Sequence, residues 1–137
     1  MSWIIYALGA ISAVAISDLF RKLGSNLKDP FLSNLFFQLG SVTMAITLYL
    51  LFSRRVEKNY QGIIYAVIGG LLVSVFTTLS FKALAVGPGV STVIPFIRVG
   101  GVILVAILGI LIFKDKLTLN LVSGIILAMI GVYFIFK

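Results

Sequence analysis

The residues best suited to chemistry in this chain are charged side chains that interrupt long apolar runs. Arg98 is the only charged residue in positions 83–113, and Pro95 lies three positions before it. Asp18 and Lys82 lie near the ends of two other apolar runs. A guanidinium or an ammonium in such a place can hold a carboxylate or a phosphate, and a carboxylate can pair with the cation or take up a proton. The predicted chemistry is the binding of an anionic group.

Catalysis has few candidate residues. The chain contains no histidine and no cysteine, and its four acidic residues do not form a close pair in the sequence. The commonest general base, the commonest metal ligand and any disulfide framework are therefore missing. We expect no enzyme activity, no metal site and no cofactor.

The composition indicates a lipid environment. Hydrophobic residues make up 61% of the 137 positions and charged residues 11%, against about 45–50% and about 25% in ordinary soluble domains. The net charge of +7 would suit nucleic acid in a soluble protein. Here, however, the basic residues fall mostly between apolar runs, which is typical of loops at a membrane surface. We predict a multi-pass protein of the cell membrane that has the lipid bilayer as a partner and binds no nucleic acid.

Five apolar runs are long enough to span a membrane as helices, since about 20 residues cross about 30 Å of hydrocarbon. Asp29 and Pro30 form a helix start, Asn59 can cap the third run, and Gly-Pro-Gly at 87–89 interrupts the helical pattern. The sequence predicts an all-α integral membrane protein in which residues 1–137 form a single five-helix domain. The predicted transmembrane helices cover roughly residues 3–21, 31–53, 60–84, 89–113 and 117–136.

The distribution of basic residues does not predict one orientation of the chain in the membrane. With five spans, the N-terminus shares one side, here called side A, with the loops at 54–58 and 114–116. Side A then holds Arg54, Arg55, Lys58, Lys114 and Lys116. The opposite side, side B, holds Arg21, Lys22, Lys28 and Lys137, with Lys82 close to it. This balance leaves two explanations open: a weak signal in a short protein, or insertion in both orientations followed by antiparallel dimerisation.

Polar residues within the spans gather in the half of the membrane nearest side B. The second run starts there with Asn34 and Gln38 one helical turn apart, and the third run ends there. Arg98 lies about 13 Å beyond the start of the fourth run, close to the membrane centre. We predict a polar substrate pathway open toward side B. Its predicted residues are Arg98, Lys82, Asp18, Asn34, Gln38, Ser74 and Thr78.

Each of these residues also has a purely structural explanation. Arg98 and Lys82 could pair with Asp18 as contacts between helices, and Lys82 could extend to the interface. Asn34 and Gln38 could serve as packing hydrogen bonds. The shared depth of the polar residues favours a functional role, because intramembrane charges are costly and usually mark a pathway.

The fourth run is predicted to bend. Pro95 removes a backbone hydrogen bond, and Gly100 and Gly101 reduce side-chain bulk farther along the same run. The plain alternative is a kink that serves only packing. The functional one is a helix that bends around Arg98.

One stretch, "ALAVGPGVSTVIPFIRVGGVILVAILGILIFKDKLTLNLVSGIILAMIGVYFI", resembles the second half of an EamA-type domain of the drug/metabolite transporter superfamily. The shared features are the Ala-Leu to Gly-Pro helix end, the following proline-bearing helix, an acidic loop before Leu-Thr, and spaced glycines in the last helix. Asp115 stands where the family usually has glutamate. Most such transporters carry two five-helix repeats inserted in opposite senses, whereas this chain resembles the short members with a single repeat.

The resemblance and the polar residues together predict a secondary transporter or flippase. It would move a small metabolite or a lipid-linked group by alternating access, as an antiparallel homodimer or a heterodimer with a similar short protein. Because the cations at depth outnumber Asp18, an anionic or zwitterionic substrate is expected. The alternative is a membrane accessory or interaction subunit without a transport path of its own.

Overall fold

The computed structural model describes residues 2–53 and 59–137 and shows five α-helices in them. The helices are α1 (Ser2–Gly24), α2 (Pro30–Phe52), α3 (Tyr60–Val86), α4 (Val90–Phe113) and α5 (Leu119–Phe136). Their order and bounds confirm the all-helical prediction, and each end lies within three residues of the predicted one.

Four of the described helices, α1 to α4, are long and apolar enough to cross a membrane. The fifth, α5, has 18 residues. At 1.5 Å per residue α5 is about 27 Å long, slightly short of a hydrocarbon core of about 30 Å. The helices support a membrane-embedded chain, and spanning by α5 stays a prediction.

Local capping explains where two of the helices begin. The Asp29 carboxylate accepts a hydrogen bond from the Phe31 backbone N–H at 2.8 Å, and Pro30 occupies the first helical position. The Asn59 side-chain oxygen accepts from the Gly62 N–H at 3.1 Å just before α3. These hydrogen bonds confirm both predicted caps. Each cap satisfies a backbone N–H that has no partner inside its helix.

Helices α1, α2 and α3 belong to a first compact unit, Met1–Val86, in which both α1 and α2 pack on α3. Among the described residues only two hydrophobic side chains are buried, Phe81 and Leu84. The Phe81 ring packs edge-on against Phe37, with 5.7 Å between ring centroids. Most apolar side chains point away from the protein, as they should where lipid replaces water.

Helices α4 and α5 form a second unit, Gly87–Lys137, and pack against each other. Pro95 lies inside α4, which continues as helix to Phe113. At its end Lys114 adopts the left-handed backbone region (φ 55°), and the Gly109 carbonyl accepts from the Asp115 N–H at 3.3 Å.

The charged loop at 54–58 lies outside the described residues. Three of the five basic residues assigned to side A, namely Arg54, Arg55 and Lys58, lie in this loop. The balance of basic residues between the two sides therefore stays a prediction from the sequence.

Candidate functional site

Three helix ends meet at side B of the first unit. The Lys22 ammonium near the end of α1 donates a hydrogen bond to the Leu84 carbonyl of α3 at 2.7 Å. The Ser33 hydroxyl in the first turn of α2 donates to the Gly24 carbonyl at 3.0 Å. The polar residues near these ends of α1, α2 and α3 therefore lie at the same end of the first unit.

A buried ion pair lies on α1 close to this end. Arg21 Nη1 is 2.6 Å from Asp18 Oδ1, and each residue is only 4% exposed. The guanidinium carbon of Arg21 lies 5.0 Å from the centroid of the Phe37 ring on α2 and 5.7 Å from that of Phe76 on α3. The negative faces of these rings favour the cation. Helices α2 and α3 thus enclose a charged pair that belongs entirely to α1.

Arg21 corrects one sequence-based expectation. The sequence counts it among the basic residues of side B and does not place it among the pathway residues, but the structure buries it inside the unit. The available signal was its position three residues after Asp18, which puts the two side chains on one face of a helix.

Amide and hydroxyl groups join α2 to α3 beside this pair. Asn34 Nδ2 donates to Ser74 Oγ at 3.1 Å, and Thr77 Oγ1 donates to Asn34 Oδ1 at 2.6 Å. Gln38 Nε2 donates to Thr77 Oγ1 at 3.1 Å. Three predicted pathway residues, Asn34, Gln38 and Ser74, are therefore brought together, and their polar groups engage one another.

Thr77 is the member of this network that the sequence prediction missed. The spacing of four residues after Ser74 predicts a pathway role for Thr78, but its hydroxyl donates to the Ser74 carbonyl within α3 at 3.0 Å. Thr77 follows Ser74 by three residues and is 1% exposed. Both spacings occur on one helix face, so the sequence alone did not separate the two threonines.

Lys82 and Thr78 lie on another face of α3. They line a groove of about 270 Å³ whose wall also includes the start of α2. The residues lining it are Pro30, Phe31, Val75, Thr78, Leu79 and Lys82. Lys82 is exposed. Its predicted place in the substrate pathway stays a prediction.

Arg98 belongs to the second unit. It lies on α4 one turn after Pro95 and is half-buried. Pro95 has no N–H to donate to the Ser91 carbonyl one turn earlier, so α4 lacks one helical hydrogen bond near Arg98. The predicted grouping of Arg98 with Asp18 and Lys82 stays a prediction, as does a bend at Pro95, Gly100 and Gly101.

Within residues 2–53 and 59–137, no three His, Cys, Asp or Glu side chains come together in a way that could hold a metal ion.

Comparison with known proteins gives one match. The family model of the EamA-like transporter family matches residues 1–137, the whole chain. No curated protein and no solved structure matches the chain significantly.

Proposed function

The chain belongs to the EamA-like transporter family and is accordingly a membrane transporter of the drug/metabolite superfamily; from this premise we propose its mode of action and substrate class. The protein is a secondary transporter of a small anionic or zwitterionic metabolite, or a flippase for a lipid-linked group with such a charge. It works by alternating access as an antiparallel dimer.

The Asp18–Arg21 pair is the observation that carries the proposal. The two charges lie 2.6 Å apart and are almost fully covered by protein. Burying such a pair costs about as much solvation as its attraction returns, and apolar replacements are often at least as stable. Ionisable groups inside membrane segments usually mark a substrate or proton path. Stability of the helix packing does not require the buried Asp18–Arg21 pair, and a role in transport explains its presence.

The charges of the intramembrane residues support an anionic or zwitterionic substrate. Arg21 and Arg98 are permanent cations, because a guanidinium is not deprotonated in proteins. We assign each of them a contact with an anionic part of the substrate during its passage. Asp18 pairs with Arg21 when no substrate is bound. The anionic group of the substrate then replaces Asp18 as the partner of Arg21.

A single repeat supports the dimer. In transporters built from inverted repeats, the two repeats move against each other around the site. The described residues 2–53 and 59–137 form five helices, the number in one such repeat, and the proposal requires a second chain to supply the inverted repeat. The balanced basic residues of the sequence suit insertion in both orientations. A homodimer and a heterodimer with a similar short protein both satisfy this requirement.

The test is transport by purified protein in proteoliposomes. Uptake of labelled glutamate, glycerol phosphate and glycine betaine is compared with uptake of the lipophilic cation tetraphenylphosphonium. Exchange of a fluorescent short-chain phosphatidic acid between leaflets tests the flippase form. We expect at least one anionic or zwitterionic probe to move and the cation not to move.

Arg98→Gln then tests the residue assignment, with Arg98→Lys as the charge-retaining control. We expect transport to be lost with glutamine and partly kept with lysine, while both variants insert and purify like the parent. Unaltered transport by Arg98→Gln, or transport of the cation alone, overturns the proposal.

A membrane accessory subunit is the second candidate, and the α2–α3 network favours it. Asn34, Ser74 and Thr77 engage one another at 2.6–3.1 Å, as purely structural contacts would. An accessory subunit would show no uptake on its own and would copurify with an unrelated protein in fixed stoichiometry. In that case changes at Asp18 would reduce assembly rather than flux.

A further inference from the structure

The groove between the start of α2 and the second half of α3 is distinct from the network that joins these helices. Its α3 wall carries Val75, Thr78, Leu79 and Lys82. At about 100° per residue, Lys82 is turned by about 140° from Thr77, which points into the network. The groove is therefore an outer surface of the first unit.

The groove combines one cation with apolar walls. Four of its six lining residues are apolar, namely Pro30, Phe31, Val75 and Leu79. In the part of the chain that the structure describes, the Lys82 ammonium takes part in no hydrogen bond or ion pair. The Thr78 hydroxyl donates to the Ser74 carbonyl, which leaves its oxygen able to accept.

The positions of these residues along α3 correspond to the headgroup and acyl-chain layers of the membrane. Lys82 precedes the end of α3 at Val86 by four residues, or about 6 Å, so its ammonium reaches the headgroup layer. Leu79 and Val75 lie about 5 Å and about 10 Å farther along α3 toward the membrane centre. The cation is therefore at headgroup level and the apolar wall at acyl-chain level.

The neighbouring charges leave this end of the unit positive. Asp18 is paired with Arg21, and the Asp29 carboxylate caps α2 by accepting from the Phe31 N–H. The cations there, besides Arg21, are Lys22, Lys28 and Lys82. An anion is attracted to this end, and a free phosphate would gain nothing from the apolar walls.

We propose that this groove binds one anionic phospholipid. Lys82 holds the phosphate, the Thr78 oxygen accepts from a headgroup hydroxyl, and an acyl chain lies along Phe31, Leu79 and Val75. Basic pockets between transmembrane helices are the usual sites for anionic headgroups. This assigns Lys82 to a lipid site instead of the substrate pathway, and the inference does not depend on transport.

A tryptophan reporter tests the site directly. Trp3 is the single tryptophan of the chain, so Trp3→Phe combined with Phe31→Trp places one fluorophore at the groove. Phe31 is 74% exposed, and the larger ring has room there. The reporter protein is reconstituted into vesicles of phosphatidylcholine and phosphatidylglycerol in which one lipid or the other is brominated, and quenching gives the relative affinity of the two lipids.

We expect phosphatidylglycerol to be preferred at the reporter by about fivefold, the effect of one lysine near an anionic headgroup. Adding Lys82→Gln should bring the ratio close to one. Adding Lys28→Gln removes the same charge from the same end but not from the groove, and most of the preference should remain.

Three results overturn the proposal. The first is an equal affinity for both lipids in the reporter protein, and the second is a preference that Lys82→Gln leaves unchanged. The third is loss of the preference when millimolar glycerol phosphate is added outside and inside the vesicles, because the groove would then bind a soluble anion.

Discussion

Thr77 of α3 donates a hydrogen bond to the Asn34 side-chain oxygen of α2 at 2.6 Å, and the nitrogen of the same amide donates to Ser74 at 3.1 Å. One asparagine thus uses both ends of its amide on a single neighbouring helix. In lipid such a bond resists separation of the helices, because the polar groups find no water there.

Replacing Thr77 with valine should weaken the contact between α2 and α3. Valine has nearly the same shape but no hydroxyl, so Asn34 loses a donor and Gln38 an acceptor. We expect a loss of about 1 kcal/mol in the free energy of unfolding, measured by thermal unfolding in detergent. Thr78→Val is the matched control, since that hydroxyl bonds only within α3. Equal losses for the two variants would contradict the network.

Asp18 and Arg21 should be strongly coupled in stability. Asp18→Asn removes the negative charge next to a buried guanidinium, and breaking such a pair costs about 3–5 kcal/mol. The double variant with Arg21→Gln removes both charges and should cost clearly less than the two single changes summed. Thermal unfolding of the four proteins gives the coupling energy. Additive effects would show that the 2.6 Å contact contributes little.

The two chain ends should each be accessible from both sides of the membrane. Since the chain has no cysteine, Ser2→Cys in one protein and a cysteine added after Lys137 in another give unique labels. With balanced basic residues, we expect an impermeant thiol reagent to label each end partially in intact cells and fully after permeabilisation. Complete labelling of one end and none of the other would mean a single orientation, and a homodimer could not supply the inverted repeat.

The end of α4 should gain stability from a glycine. Lys114 has φ 55°, a region that costs a non-glycine residue roughly 1–2 kcal/mol. Because glycine also loses more entropy on folding, Lys114→Gly should raise the free energy of unfolding by a net of about 0.5–1 kcal/mol. Lys116→Gly removes the same charge two residues later, where the structure has no positive φ, and should give no gain. Thermal unfolding separates the two outcomes.

The sequence predicted the helices well because their signals are local. Apolar length marks each run, and Asp29 and Asn59 cap helices in the structure as expected. The shared depth of Asn34, Gln38 and Ser74 also followed from chain direction alone. These features do not depend on how each helix is rotated about its axis.

The details of the site do depend on that rotation. A step of four residues advances about 40° around a helix and a step of three falls back about 60°, so polar spacing fits several faces equally well. The spacing therefore favours Thr78 over Thr77, and it groups Lys82 with residues that lie on another face of α3. Arg21 was missed for a different reason, because only the packing of α2 and α3 around it shows that it is buried.

The packing of α1 and α2 on α3 has a consequence for biogenesis. The first two helices enter the bilayer before the surface on which they pack has been synthesised. Until Phe76 and Thr77 of α3 emerge from the ribosome, the Asp18–Arg21 pair lacks one of its two aromatic neighbours and Asn34 lacks its partners. The first unit can therefore complete its folding only after α3, its last helix, has been synthesised. A nascent chain that stalls after Phe52 leaves the Asn34 amide without its α3 partners Ser74 and Thr77.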